Sequence, residues 1–361
     1  MLQVEYASSR RPGAAQGMAL AFIEGSDAHV RRRYSPSRPL PESPCPMSTH
    51  HTLKVSPQTV HWGHLGAAIP PVLRIASGDR VTIESVSGAR AESAQAATLL
   101  PDHAAVLEHC KPMLGPHIIT GPVWVEGAEP GDTLEVQIES VELRQDWAYN
   151  AVRPARGGLP EDFRTLQILN IPIDIARREA YLPWGLTVPL NPFFGIMAVA
   201  PHPDYGMVSS IEPREYGGNI DNKELVAGSM LFLPVQTTGA LFSVGDGHAA
   251  QGDGEVSLTA LETALRGTFR LILHKGTGLK FPRAVTPTHY IAMGLDPDLD
   301  DAAKQALREM IAWLGELKGW SALDAYVSCS LMCDLRVTQI VDGNKGVHAM
   351  FPRAAIDARP A

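Results

Sequence analysis

Residues 245–255, Gly-Asp-Gly-His-Ala-Ala-Gln-Gly-Asp-Gly-Glu, set two aspartates, a histidine, a glutamine and a glutamate among four glycines. Carboxylates and an imidazole are donors that zinc and related divalent ions take, and a spare carboxylate beside them is a candidate proton carrier. Upstream, Gly217-Gly218-Asn219-Ile220-Asp221 has a similar composition. In extended backbone Asn219 and Asp221 point to one side across Ile220, as Asp246 and His248 do across Gly247. Each pair alone has an ordinary explanation. An Asp or Asn in a glycine turn bonds its own backbone, and a lone His is more often a hydrogen-bonded structural residue. Recurrence within residues 214–255, the densest polar stretch, favours a site over two turns. The segment 245–255 is expected as a shaped loop, because this much glycine weakens a helix or strand.

The surrounding elements read mainly as β-strands. Val72–Ile75, Arg80–Ile83 and Leu134–Ile138 alternate apolar and polar residues and are separated by turns such as Ser77-Gly78-Asp79 and Pro130-Gly131-Asp132. Further strands are expected at Phe194–Ala200, Met230–Val235, Ala240–Val244 and Thr268–His274. Asp298 then caps a helix whose apolar face is Ala303, Ala306, Leu307, Met310, Ile311, Leu314 and Leu317, closed by Gly319. Ser321 with Asp324 starts a second helix running to about Leu335. The expected fold is mainly β, with antiparallel sheets stacked like a β-sandwich and a C-terminal α-helical hairpin, α+β overall.

The chain has 361 residues, 45% of them apolar and 19% charged, enough for two cores or one large one. A formal charge of −8 with no basic face outside the N-terminal arm argues against nucleic acid as a partner. No apolar run approaches the roughly 18 residues of a membrane span, and Met18–Ile23 is too short for a secretory signal, so a cytoplasmic protein without membrane partners is expected. Residues 1–46 carry Arg31-Arg32-Arg33 and five prolines between Tyr34 and Met47. That composition predicts a disordered extension, with Met47 as the natural start. The body, 47–361, divides by pattern into an N-terminal β part (47–190), a site-bearing β part (191–295), and the helical hairpin and tail (296–361). Four cysteines do not make a disulfide framework. Cys329 and Cys333 share an apolar helix face and read as packing. There is no Gly-x-Ser-x-Gly elbow and no glycine-rich phosphate loop.

The runs GGNIDNKELVAGSMLFLP and GALFSVGDGHAAQGDGEVSLTALE resemble the signature region of the acetamidase/formamidase family. The resemblance extends upstream through Ile69-Pro70-Pro71, GPHIITGP and VEGAEPGDTLEV, and downstream to PTHYIAMG, covering residue 52 to the second C-terminal helix. It implies a mainly β homo-oligomer, associated with divalent metal, that hydrolyses a small linear amide of the formamide or acetamide type to carboxylate and ammonia. It also places His117, Asn219, Asp221 and the 245–255 segment at the site. The family includes enzymes acting on cyclic amides, so a lactam hydrolase is an alternative.

Amide hydrolysis needs a strong nucleophile, and a bound metal lowers the pKa of water to about 7. His117, Asp221, Asp246 and His248 are the metal-ligand candidates, for zinc, or alternatively calcium. Glu255 is the candidate general base and acid, with a cap or turn acceptor as its equal rival. Asn219 and Lys223 are candidates to polarise the carbonyl, although a solvated surface lysine is the commoner role for Lys223. His61-Trp62-Gly63-His64 and Asp146-Trp147 carry less weight. Asp334, Arg336, Lys345 and His348 read as stabilising or interfacial. A non-catalytic β module binding a metal or small ligand remains the second class. A carbohydrate-directed protein is disfavoured by an aromatic content of only 6%.

Overall fold

A computed structural model describes residues 48–93 and 98–357. The proline-rich arm and the expectation made for it lie outside these residues. An interior strand of the larger sheet, Leu265–His274, buries Leu265, Gly267, Phe269 and Leu271 and turns Arg266, Thr268 and Arg270 outward. This is the period of two that a half-buried strand requires. It pairs antiparallel with Arg80–Glu84 on one side and Thr133–Leu143 on the other. Among the described residues this sheet has nine strands, running from His50–Leu53 at one edge to Asp334–Gln339 at the other. It draws strands from all three parts of the body distinguished by pattern.

A six-stranded sheet carries Gly217–Asn219, Phe193–Ala198, Phe242–His248, Ile118–Val125 and Val60–Trp62 in that order, with Leu73–Ile75 also on Ile118–Val125. Phe269 of the large sheet meets Phe194 and Phe242 of this one at ring distances of 5.5 and 5.8 Å. The two sheets therefore stack face to face. Between them lie Val81, Ile83, Val136, Ile138, Ile196, Val244 and Leu271, all at most 2% exposed. Each side chain of this size stabilises the fold by roughly 1.5–3 kcal/mol on burial. The expected antiparallel sandwich is present; His50–Leu53 and Leu73–Ile75 are its parallel exceptions. A smaller four-stranded sheet, Trp147–Val152, Gln167–Asp174, Glu179–Tyr181 and Thr187–Pro189, stands beside it.

The first C-terminal helix, Leu299–Lys318, begins where Asp298 accepts from the amides of Asp300 and Asp301, and ends at Gly319 with φ of 67°. It buries Ala302, Ala306, Met310 and Leu314 against Ala292, Val347, Ala349 and Phe351, while Leu317 is exposed. The second helix, Ala322–Met332, stops short of the expected Leu335. Asp334 and Arg336 belong instead to the edge strand Asp334–Gln339, which pairs with Lys345–Pro352, so the C-terminal part extends the large sheet beyond the hairpin. Among the described residues, no helix is long and apolar enough to cross a membrane.

Candidate active site

The segment expected as one loop is divided. Gly245–His248 complete the strand Phe242–His248, and the loop begins only after it. The glycines explain how a polar run fits a central strand. A Cβ on Gly247 would stand 2.5 Å from the Thr263 carbonyl. Across the sheet, Phe194 pairs with Gly247 and Ile196 with Gly245, so Gly195 faces Asp246. A Cβ on Gly195 would lie 2.3 Å from Asp221 Oδ1, 2.7 Å from Asp246 Oδ2 and 2.9 Å from His248 Cε1. Three polar side chains converge over that one backbone position, which only glycine leaves open.

Each acid of the cluster is held by a different element. Asp221 follows the edge strand Gly217–Asn219, and its amide donates to the Gly195 carbonyl at 3.2 Å. Glu255 sits in a loop braced by Gly254, whose amide donates to Thr338 O and whose carbonyl accepts from Ile340 N. Glu262 is fixed by paired backbone hydrogen bonds with Tyr149, at 2.8 and 2.9 Å. Asp342 lies in the turn between the last two strands, where the Gln339 side chain accepts from its amide. Asp221, Asp246 and Glu255 have φ of +50°, +56° and +45°. Left-handed backbone at a non-glycine residue costs of order 1–3 kcal/mol and persists where the surroundings impose it, often at functional sites.

His248 is the hub, fully buried, with the Phe193 ring edge-on at 5.1 Å. Its Nδ1 is 2.9 Å from Gln251 Oε1, and the Gln251 amide nitrogen donates to the Asp221 carbonyl at 2.8 Å. That pairing makes Nδ1 a donor to Gln251, while Nε2 faces Asp246 Oδ2 at 3.1 Å and Glu262 Oε1 at 3.2 Å, donating to them when protonated and offering its lone pair to a cation once that proton is lost. Burial alone would depress His248, but the charges of Glu262 and Asp246 raise it well above its ordinary value. Burial raises Glu262 to about 7, with the Asp246 charge adding to it. Burial and then Asp221 push Glu255 well above the carboxylate range. Asp342 is raised by burial and by the same Asp221 charge. Asp246 moves the other way: burial opposes the shift, but His248 and His117 hold it below its usual value.

The donor set fits a divalent cation. Two trios, Asp246–His248–Glu262 and Asp221–His248–Glu255, keep their ligand atoms within 4.8 Å of one another. Both oxygens of Asp221 and Oε2 of Glu255 are buried without a hydrogen-bond partner. Five carboxyl groups, none more than 7% exposed, surround one imidazole. Such a concentration of like charge is costly unless a cation or protons offset it. The first trio fits better, because it uses the free nitrogen of His248 while Gln251 orients the ring through the other.

Of the residues expected from the sequence, Asp221, Asp246, His248 and Glu255 come together. His117 stands beside the cluster, near enough for its charge to act on Asp246 and Asp221, but outside both trios, with Nδ1 2.9 Å from Ser210 Oγ. Asn219 is buried and its Oδ1 has no partner; among the described residues its amide makes no hydrogen bond to the cluster. Lys223 is not brought in: its ammonium pairs with Asp253 at 3.1 Å. Arg336 clamps the same Asp253 and also Glu224, bracing the loop from outside. His61 bonds the His64 carbonyl at 2.6 Å, and Asp146 is exposed. Glu262 and Asp342 were not anticipated as site residues, and Gln251 was expected there only as part of the 245–255 segment, without a role. Glu262 closes the apolar run Leu-Thr-Ala-Leu-Glu, where a buried charge is the available signal, and Asp342-Gly343-Asn344 reads simply as a turn.

Fold and site together define a β-sandwich protein with a buried carboxylate–imidazole centre. The chain belongs to the acetamidase/formamidase family, whose model matches residues 55–206 and 204–357. It is 27% identical to the formamidase of Methylophilus methylotrophus over 250 residues, covering 52% of this chain and 61% of that protein. The chain spans about half of the curated relatives it matches, between 49% and 61% of their lengths. Its structure resembles that of an acetamidase from Yersinia enterocolitica, with TM-score 0.75, 30% identity, and coverage of 87% of this chain and 94% of that one. A gamma lactamase from Delftia acidovorans shares the fold at TM-score 0.56 and 24% identity, over 86% of this chain and 95% of that one.

Proposed function

We propose that this protein hydrolyses a linear amide to a carboxylate and ammonia at the His248 cluster. Family membership supports the reaction class. The observation that carries the site is His248, its Nδ1 proton committed to Gln251 and its Nε2 presented to Asp246 and Glu262. His248, Asp246 and Glu262 would hold a divalent cation, with zinc matching the nitrogen and oxygen donors and calcium the alternative. When bound, such an ion polarises a carbonyl oxygen and makes water acidic enough to ionise near pH 7. Glu255 carries the proton. As a carboxylate of raised proton affinity it accepts one from the attacking water and returns it to the departing nitrogen, so water and amide leave as carboxylate and ammonium. Burial, and then the charge of Asp221, keep its proton affinity high.

The deciding experiment measures ammonia release from linear amides, and ring opening of lactams, on protein with known metal content, before and after chelation. Turnover of linear amides that disappears with the metal and returns on its addition supports the reading. Turnover of lactams alone would replace it with the cyclic-amide reading, and binding without turnover with a binding module. The same proposal includes self-association, so sedimentation giving only a monomer at micromolar concentration would remove that part.

A further inference from the structure

The strands Trp147–Val152, Gln167–Asp174 and Thr187–Pro189, the residues Leu182 and Trp184 between the last two strands of the small sheet, and the segment 250–261 line an open cavity of about 500 Å³. Gln251 and the nearly buried Glu255 form its inner end; Leu169, Leu182 and Val188 line its walls; and Trp184, 64% exposed, stands at the rim. Leu169 is two residues from Ile171 on the same strand face, and both belong to the small apolar core of the four-stranded sheet. The cavity is therefore a gap in a packed apolar layer that leads from solvent to the proton-carrying carboxyl.

Its size and chemistry select among amides. Pockets of roughly 300–1,000 Å³ enclose drug-sized ligands, whereas acetamide displaces only a few waters at about 30 Å³ each. Among the described residues, no lysine, arginine or histidine lines the cavity. Of its two acids, Asp253 is already paired with Lys223 and Arg336. An anionic substituent would enter without a counter-charge, which is costly in an apolar setting. The Asn150 amide, the one such group in the wall besides Gln251, donates to Thr259 O at 2.8 Å and Ala260 O at 3.0 Å. Its donors are spent on the wall.

We infer that the substrate is a neutral amide bearing an apolar acyl group, a chain of several methylenes or an aryl ring, that lies against Leu169, Leu182 and Val188 beneath Trp184. The inference rests on the amide-hydrolase reading of the His248 cluster and specifies what that cluster cuts. Each methylene moved from water into such a wall is worth about 0.8 kcal/mol, or about fourfold in affinity.

The test uses the full chain with its metal. Specificity constants are measured for formamide, acetamide, butanamide, hexanamide and phenylacetamide, and for the monoamide of glutaric acid as the anionic comparison. Hexanamide and phenylacetamide binding is followed by calorimetry. The expected result is a rise in kcat/KM of about fourfold per methylene until the cavity is filled, with the anionic monoamide well below its neutral counterpart. Val188→Trp, which projects an indole into the cavity and narrows it, should lower the hexanamide-to-acetamide ratio by about tenfold or more. Trp184→Ala, on an exposed rim residue that cannot disturb the core, should lower the same ratio by several-fold. A ratio that is flat or falls with chain length, or that neither variant moves, overturns the inference while leaving amide hydrolysis in place. If no amide is turned over, the amide-hydrolase reading fails; hexanamide binding that Val188→Trp abolishes then still supports the apolar cavity, and absent or unaffected binding overturns it.

Discussion

His248 and His348 are 0% and 1% exposed, yet their surroundings drive them in opposite directions. His248 lies at the end of a strand among Asp221, Asp246, Glu255 and Glu262, and the charges on its Nε2 side outweigh burial and raise its pKa. His348, on Lys345–Pro352, is 2.7 Å from the Thr338 hydroxyl, and its Nε2 has no partner. Burial pushes it down to about 4. His61 is pushed to about 4 in the same way. Enclosure alone neutralises an imidazole. Enclosure with facing carboxylates builds a centre that demands a counter-ion or protons, and such arrangements concentrate at functional sites.

If that difference is functional, the largest effect belongs to His248→Ala. It should abolish bound metal, read by elemental analysis, and slow amide hydrolysis at least about a thousandfold, some 4 kcal/mol of barrier. The melting temperature should fall by only a few degrees, because the residue's partners are ligands more than core. Wild-type turnover in His248→Ala and Asp246→Asn would reduce His248 to another buried structural histidine. Glu255→Gln comes next. It keeps the side chain's shape but cannot carry a proton, so metal content should hold near wild type while the rate falls by roughly a hundredfold or more. Loss of metal in this variant would move Glu255 from proton carrier to ligand.

The sequence made His248 legible and left the contrast with His348 unreadable. Gly-Asp-Gly-His announced itself by composition, and the alternation of Arg80–Ile83 and Leu134–Ile138 and the caps at Asp298 and Ser321 were visible because period and capping are local properties. The polar strand was misjudged as loop because glycine is normally a strand breaker. Here Gly247 is required by the Thr263 carbonyl from another segment, and no local pattern reports that approach. Glu262 and Asp342 reach the cluster through long-range pairing, one by a backbone bridge to His248 and Tyr149, the other from a turn in the last hairpin. A carboxylate looks the same in sequence whether solvent or another carboxylate faces it. The early end of the second helix at Met332 has the same origin: the edge of the large sheet takes Asp334–Gln339 as a strand, a tertiary choice that overrides local helix pattern.

Gln251 tests the comparison more gently, because it acts on His248 from behind. Its Oε1 fixes the Nδ1 proton and its amide nitrogen ties that contact to the Asp221 carbonyl. Gln251→Leu removes both bonds and leaves the ligand trio intact. Groups that orient a metal-binding imidazole are typically worth 10–100-fold in metal affinity or rate. A weakening of metal binding in that range, measured by competition with a chelator, is expected. Unchanged affinity would mean that the ring is held by Phe193 and the carboxylates alone.

The smallest effect on activity belongs to His348, where the readout is stability against pH. Its folded pKa, about 4, lies below the ordinary 6.5. The unfolded chain therefore binds a proton in a range where the folded protein does not. This contribution is fully kept above pH 6.5 and is lost progressively as pH falls from there towards 4. At 1.36 kcal/mol per pH unit, the residue should cost the fold about 2 kcal/mol between pH 7 and pH 5. His348→Asn keeps a polar partner for Thr338 and cannot be protonated there. Amide hydrolysis at pH 7 should stay within about twofold of wild type, since the residue touches none of the cluster acids. The absolute stability of the variant is set by how its smaller side chain packs, so the comparison is of slopes: urea midpoints should fall less between pH 7 and pH 5 than in wild type. His61, unchanged in the variant and equally depressed, should leave part of the acid sensitivity in place. A variant slope equal to the wild-type slope would show that His348 already shares a proton with its surroundings when folded, and would remove the contrast with His248 on which the larger predictions are ordered.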